Sequence, residues 1–94
     1  MKTTNAGGPM AIKADLMEWV VEALRSMGGR GSLLEVTKLV WERHEADLRD
    51  SGDLFYTWQY DLRWAATKLR KAGRMTDEQG SRSKPWELTP LGKG

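Results

Sequence analysis

Leu16, Val20, Ala23, Leu24 and Met27 recur three or four positions apart, with Asp15, Glu18, Glu22 and Arg25 between them. That spacing predicts an amphipathic helix over residues 13–27. Gly28-Gly29 then offers a stop that tolerates positive φ. Trp19 lies close to the same stripe and reads as a partly buried core aromatic. A second apolar stripe, Leu33, Val36, Leu39 and Val40, predicts a helix over 33–46. Its start carries a capping box: the Ser32 hydroxyl can accept from the Glu35 amide while the Glu35 carboxylate returns to the Ser32 amide. The charged run from Glu42 to Asp50 predicts fraying or a bend before the turn Asp50-Ser51-Gly52-Asp53. Arg30-Gly31-Ser32, between the two helices, has room for a residue or two of strand.

The third periodic segment predicts a helix over 55–72. At about 100° per residue, Trp58, Ala65, Ala66 and Leu69 fall within about 60° of Leu62, a narrow stripe suited to close packing on the first two helices. The flank and opposite side carry Tyr56, Gln59, Tyr60, Arg63, Thr67, Arg70 and Lys71. Asp61 is the one acid, placed toward the opposite edge of the wheel. Gly73 is the expected C′ residue. The period then changes from helical to extended. Arg74-Met75-Thr76 and Trp86-Glu87-Leu88-Thr89 predict two short strands of a hairpin. The polar segment from Asp77 to Pro85 joins them as a projecting loop, and Pro90 and Gly92 end the chain. The expected core is Leu16, Val20, Leu24, Val36, Val40, Trp58, Leu62, Ala66, Leu69, Trp86 and Leu88. Residues 1–11 lack periodicity and read as a flexible leader, which leaves 12–94 as the domain. The fold class is α+β, mostly helical: three helices and a carboxy-terminal β-hairpin, the winged helix-turn-helix order.

Composition agrees with a small folded domain, since 39% hydrophobic residues with five Trp in 94 positions is too much apolar content for a disordered chain. No apolar run approaches the roughly 20 residues of a membrane span. The amino terminus lacks the apolar region of a signal peptide, so a cytoplasmic protein is expected. With no Cys, thiolate chemistry, disulfides and Cys-based zinc sites are excluded, and a single His excludes multi-His metal centres. One His leaves a Ser-His-Asp arrangement open by count. Asp47, Asp50 and Asp53 are three apart, not the two-residue spacing of a calcium loop. Gly28-Gly29-Arg30-Gly31 has no following Lys-Ser/Thr and no preceding strand, which excludes a phosphate loop. The expectation is no enzyme and no cofactor. His44, among Glu42, Arg43 and Glu45, reads as a solvated surface histidine.

Charge placement separates the two halves. From Glu35 to Asp61 seven acids face three bases, a net of −4; from Leu62 to Lys84 seven bases face two acids, a net of +5. The second half suits a polyanion.

The run Leu62-Arg63-Trp64-Ala65-Ala66-Thr67-Lys68-Leu69-Arg70-Lys71-Ala72-Gly73, a basic loop, and Trp86-Glu87-Leu88-Thr89-Pro90-Leu91-Gly92 together resemble the amino-terminal winged-helix domain of Mrr-type restriction endonucleases. The Ser51-Gly52 turn also looks like that family's loop. The resemblance covers most of 12–92 and implies a DNA-binding module, with the third helix as recognition helix and the hairpin loop as wing. In that family a nuclease domain follows, for which 94 residues leave no room, so cleavage is not carried over. Tyr56, Trp58 and Tyr60 ahead of the basic residues prevent transfer of a base preference.

A helix in the major groove requires cations for phosphates and side chains that reach base edges. Arg63 suits guanine, Gln59 adenine, and Tyr60 and Thr67 phosphate or base, with Tyr56, Arg70 and Lys71 beside them; Arg82 and Lys84 on the wing suit phosphate or the minor groove. The expected function is a stand-alone double-stranded DNA-binding protein, regulatory or accessory to a restriction, defence or phage-derived system. A symmetric homodimer on two half-sites is expected. The alternative is a protein-interaction module that uses the acidic second helix and exposed tryptophans. Trp64 reads as structural or interfacial, and Trp41 as core or interface.

Overall fold

The computed structural model describes residues 12–76 and 85–93. Its elements are α1 (Asp15–Ser26), β1 (Arg30–Gly31), α2 (Leu33–Arg49), α3 (Leu54–Lys71), β2 (Trp86–Glu87) and α4 (Pro90–Lys93). The leader and the wing loop expected from sequence lie outside the described residues.

Local signals place the helices. Ser32 caps α2 reciprocally: the Glu35 amide donates to the Ser32 hydroxyl at 3.0 Å and the Ser32 amide donates to the Glu35 carboxylate at 2.8 Å. Hydrogen bonding of the Glu35 carboxylate to Ser32, to its backbone N–H first and its side chain second, holds that carboxyl below its ordinary pKa because it favours the charged form. Helix α3 ends at Gly73, φ 78°, with the Gly73 amide on the Arg70 carbonyl and the Arg74 amide on the Leu69 carbonyl. This is the paired Schellman closure.

The core is one cluster in which α1, α2 and α3 bury Leu16, Val20, Leu24, Val36, Val40, Trp58, Leu62, Ala66 and Leu69, and the strand region adds Trp86 and Leu88. All of these were expected from periodicity. Val21, Leu48, Leu54 and Met75 join them. Each fully buried leucine or valine stabilises by about 1.5–3 kcal/mol relative to exposure, which explains why a domain of this size can do without disulfides.

Among the described residues the sheet has two antiparallel strands, with Arg30 opposite Glu87 and Gly31 opposite Trp86. The expected strand at Arg74-Met75-Thr76 is reduced to a single antiparallel bridge between Met75 and Leu88. The reason lies in hydrogen-bond accounting: the Arg74 amide is already committed to closing α3, so pairing rests on Thr76 N–H to the Glu87 carbonyl (2.9 Å) and Thr89 N–H to the Arg74 carbonyl (3.0 Å). Pro90–Lys93 forms one helical turn, with proline preset at its first position. The Thr89 hydroxyl donates to the Gly73 carbonyl at 2.6 Å and accepts from the Gly92 amide at 3.2 Å. A side chain at Gly92 would overlap the Arg74 carbonyl.

The acidic end of α2 bends, as its sequence suggests, but the bend has a named centre. His44 has φ −126° and ψ 21°, outside helical values, and α2 continues beyond it to Arg49. The reading of His44 as a solvated residue is corrected here. Its side chain is 16% exposed, its Nε2 lies 2.8 Å from a Glu22 carboxylate oxygen of α1, and its Nδ1 lies 3.8 Å from Asp47. Its ring stacks on Trp19. The kink turns this residue inward against α1, which a straight wheel does not foresee, and Leu48 one turn later is fully buried.

Candidate nucleic-acid interface

Helix α3 is pinned by the stripe Leu62, Ala65, Ala66 and Leu69, all 0% exposed. The residues turned away from that stripe are therefore fixed in direction. Tyr56 and Tyr60 stand out at 82% and 78% exposed. Gln59, Arg63, Thr67 and Lys71 are exposed beside them. Among the described residues, the side chains of Gln59, Tyr60, Arg63 and Lys71 have no hydrogen-bond or ion-pair partner. The Thr67 hydroxyl donates to the Arg63 carbonyl one turn back, at 3.0 Å, a bond it can exchange for another acceptor. Arg70 differs from the others. It is half-buried, its Nε donates to the Thr76 carbonyl at 3.3 Å, and its guanidinium lies 5.9 Å from the Trp86 ring. Arg70 thus ties α3 to the strand region. Arg82 and Lys84 lie outside the described residues.

Asp61 was expected toward the opposite edge of the wheel. Instead it is buried, at 8% exposure. The Thr57 hydroxyl donates to its carboxylate at 2.8 Å, and the Lys13 ammonium lies 3.8 Å away. At about 100° per residue Asp61 sits roughly 100° from Leu62, on the side where the segment leading into α1 covers α3; the buried arc is wider there than the apolar stripe alone. The consequence is electrostatic. The one acid of α3 is turned away from the outward face and neutralised locally, so that face carries cations and neutral hydrogen-bonding groups only.

Trp64 and Lys68 share the Asp61 side of the helix. Trp64 is partly buried against the core, with the Lys13 ammonium 4.5 Å and the Lys68 ammonium 5.9 Å from its ring. This agrees with a structural role.

A second feature was missed in the sequence. Where α2 and α3 diverge, Thr37, Lys38, Trp41, Phe55, Trp58 and Gln59 line an open groove of about 350 Å³. Trp41 stacks on Trp58 with centroids 5.8 Å apart, and Phe55 lies 6.5 Å from Trp41. The signal was faint: Phe55 and Gln59 are four apart on one helix, Lys38 and Trp41 three apart on another, and only the tertiary crossing joins them. Among the described residues no group of three or more His, Cys, Asp or Glu side chains could hold a metal ion, and no helix is long and apolar enough to cross a membrane. The chain matches no protein-family model, no curated protein sequence and no solved structure.

Proposed function

We propose that the protein is a double-stranded DNA-binding module of winged-helix type, with α3 entering the major groove. The observation that carries this reading is the acid-free outward face of α3, where Arg63 and Lys71 are unpaired among the described residues while the helix's single acid is buried. A groove-reading helix needs that arrangement, because a carboxylate facing the phosphates would oppose the cations that supply affinity. The element order supports the same reading: a short strand between α1 and α2 pairs antiparallel with the strand that follows α3, and Met75 bridges that strand's far edge. The resemblance to the amino-terminal domain of Mrr-type endonucleases points the same way. In this reading the chain binds DNA without cleaving it, in a regulatory or accessory role. Two copies on paired half-sites form part of the proposal; sedimentation as a monomer at high micromolar concentration would count against that part.

A salt titration of binding to random duplex DNA tests it. With about four to six cations contacting phosphate, log K falls against log salt with a slope of about −4 to −5. If Arg63, Arg70 and Lys71 are reversed to Glu and duplex binding is unchanged, the DNA reading fails and the interaction-module reading takes its place.

A further inference from the structure

The groove between α2 and α3 is lined by aromatic rings and by polar side chains of two kinds. The rings of Trp41, Phe55 and Trp58 line it; Trp41 is stacked on Trp58 and the Arg49 guanidinium lies 5.2 Å from the Trp41 ring and 6.0 Å from the Phe55 ring, and the ring surface left to the groove favours a flat, apolar-faced occupant. Its lining also includes the Gln59 side-chain amide, a donor and an acceptor side by side, and the Lys38 ammonium, a compact cation. Neither has a hydrogen-bond or ion-pair partner among the described residues. A volume of about 350 Å³ is at the small end of ligand sites, which run to roughly 300–1,000 Å³, and is too small for a partner helix. The groove also continues onto the outward face of α3: Gln59 belongs to both, and the Tyr56 ring meets Phe55 edge-on at 5.1 Å.

We infer that this groove binds a single nucleotide unit: a planar base against the aromatic walls, its hydrogen-bonding edge on the Gln59 amide and its phosphate on Lys38. Each part of that occupant answers one part of the groove. A plain aromatic hydrocarbon leaves both polar groups without a partner, and a simple aromatic acid engages Lys38 but offers Gln59 no paired donor and acceptor. The nucleotide comes either from a base turned out of a nucleic-acid strand or from a free mononucleotide. The strand-borne source rests on the reading of α3 as a DNA face; the free source does not.

The two are separated by following the indole N–H signals of Trp41 and Trp58 by NMR in the full chain. The titrants are dAMP, deoxyadenosine, inorganic phosphate, a duplex with one bulged adenine and the same duplex without the bulge. The inference expects dAMP or the bulged duplex to shift both signals saturably, with deoxyadenosine and phosphate each at least about tenfold weaker than dAMP wherever the free nucleotide binds. Lys38→Ala, an exposed substitution, weakens that binding about five- to tenfold by removing a charge-assisted contact. Phe55→Leu weakens it as well, with a thermal melt to confirm the fold. If neither dAMP nor the bulged duplex moves the signals, or if Lys38→Ala leaves the affinity unchanged, the inference is overturned. Binding of dAMP without binding of the intact duplex keeps the groove and removes the α3 reading; duplex binding that leaves both indoles unmoved does the reverse.

Discussion

The Trp19 indole and the His44 imidazole lie face to face, with centroids 4.0 Å apart and planes 7° from parallel. Trp19 sits on α1 and His44 at the bend of α2, so the pair fixes one helix against the other at the point where α2 loses its regular geometry. The Glu22 carboxylate holds the imidazole edge in place. His44→Ala should therefore destabilise by about 1–2 kcal/mol, the worth of an aromatic contact together with a hydrogen bond. Urea unfolding measures it, and a change within about 0.3 kcal/mol of zero would show that the stack follows the bend rather than holding it.

Leu62 is fully buried at the centre of the α3 stripe. Leu62→Ala should cost about 2–5 kcal/mol, since the neighbouring alanines cannot move in to fill the space. A loss below about 0.5 kcal/mol by denaturant titration would contradict the packing described.

Acid should reveal the α2 cap. The folded state lowers the Glu35 pKa, so the capping contribution is fully present above the ordinary glutamate value and is lost as pH falls through the depressed folded value. Stability measured from about pH 6 downward should decline less steeply for Glu35→Gln than for the parent once the pH drops below about 4.3, the ordinary glutamate pKa. Coincident acid limbs would remove Glu35 from the account.

On DNA, Arg63 and Lys71 should behave differently. Arg63→Ala should cost about 1–3 kcal/mol at a preferred site and relax discrimination there, whereas Lys71→Ala should weaken all sequences about equally and flatten the salt slope by about 1. Asp61→Asn, buried on the other side of α3, should leave the slope unchanged. A slope altered by Asp61→Asn as much as by Lys71→Ala would mean that the face has been assigned wrongly.

Helices and core were legible in the sequence because their signals are local: the Leu16 and Leu62 stripes, the Ser32–Glu35 cap and the glycine stops each act within a turn or two. What escaped was decided between elements. Asp61 looked exposed because a single helical wheel contains no neighbour, yet Lys13 and Thr57 make its burial tolerable. His44 looked solvated because the charges around it in sequence are not those around it in space. The outward set on α3 was read from period alone, and among its described members the structure sets Arg70 apart, through a carbonyl that follows the helix. The aromatic groove needed two helices to cross before it existed.

The Arg25 guanidinium donates to the Gly92 carbonyl across 67 positions of chain, and β1 pairs with the strand just before α4. The first helix therefore gains these partners only when residues 86–92 fold back onto it. Contacts that close such long loops form late and slow folding. The three helices can collapse early, but the sheet and its seal over α1 must wait until residues 86–92 are in place. Deleting residues 86–93 should thus leave a helical, loosely closed chain in place of a shortened native domain.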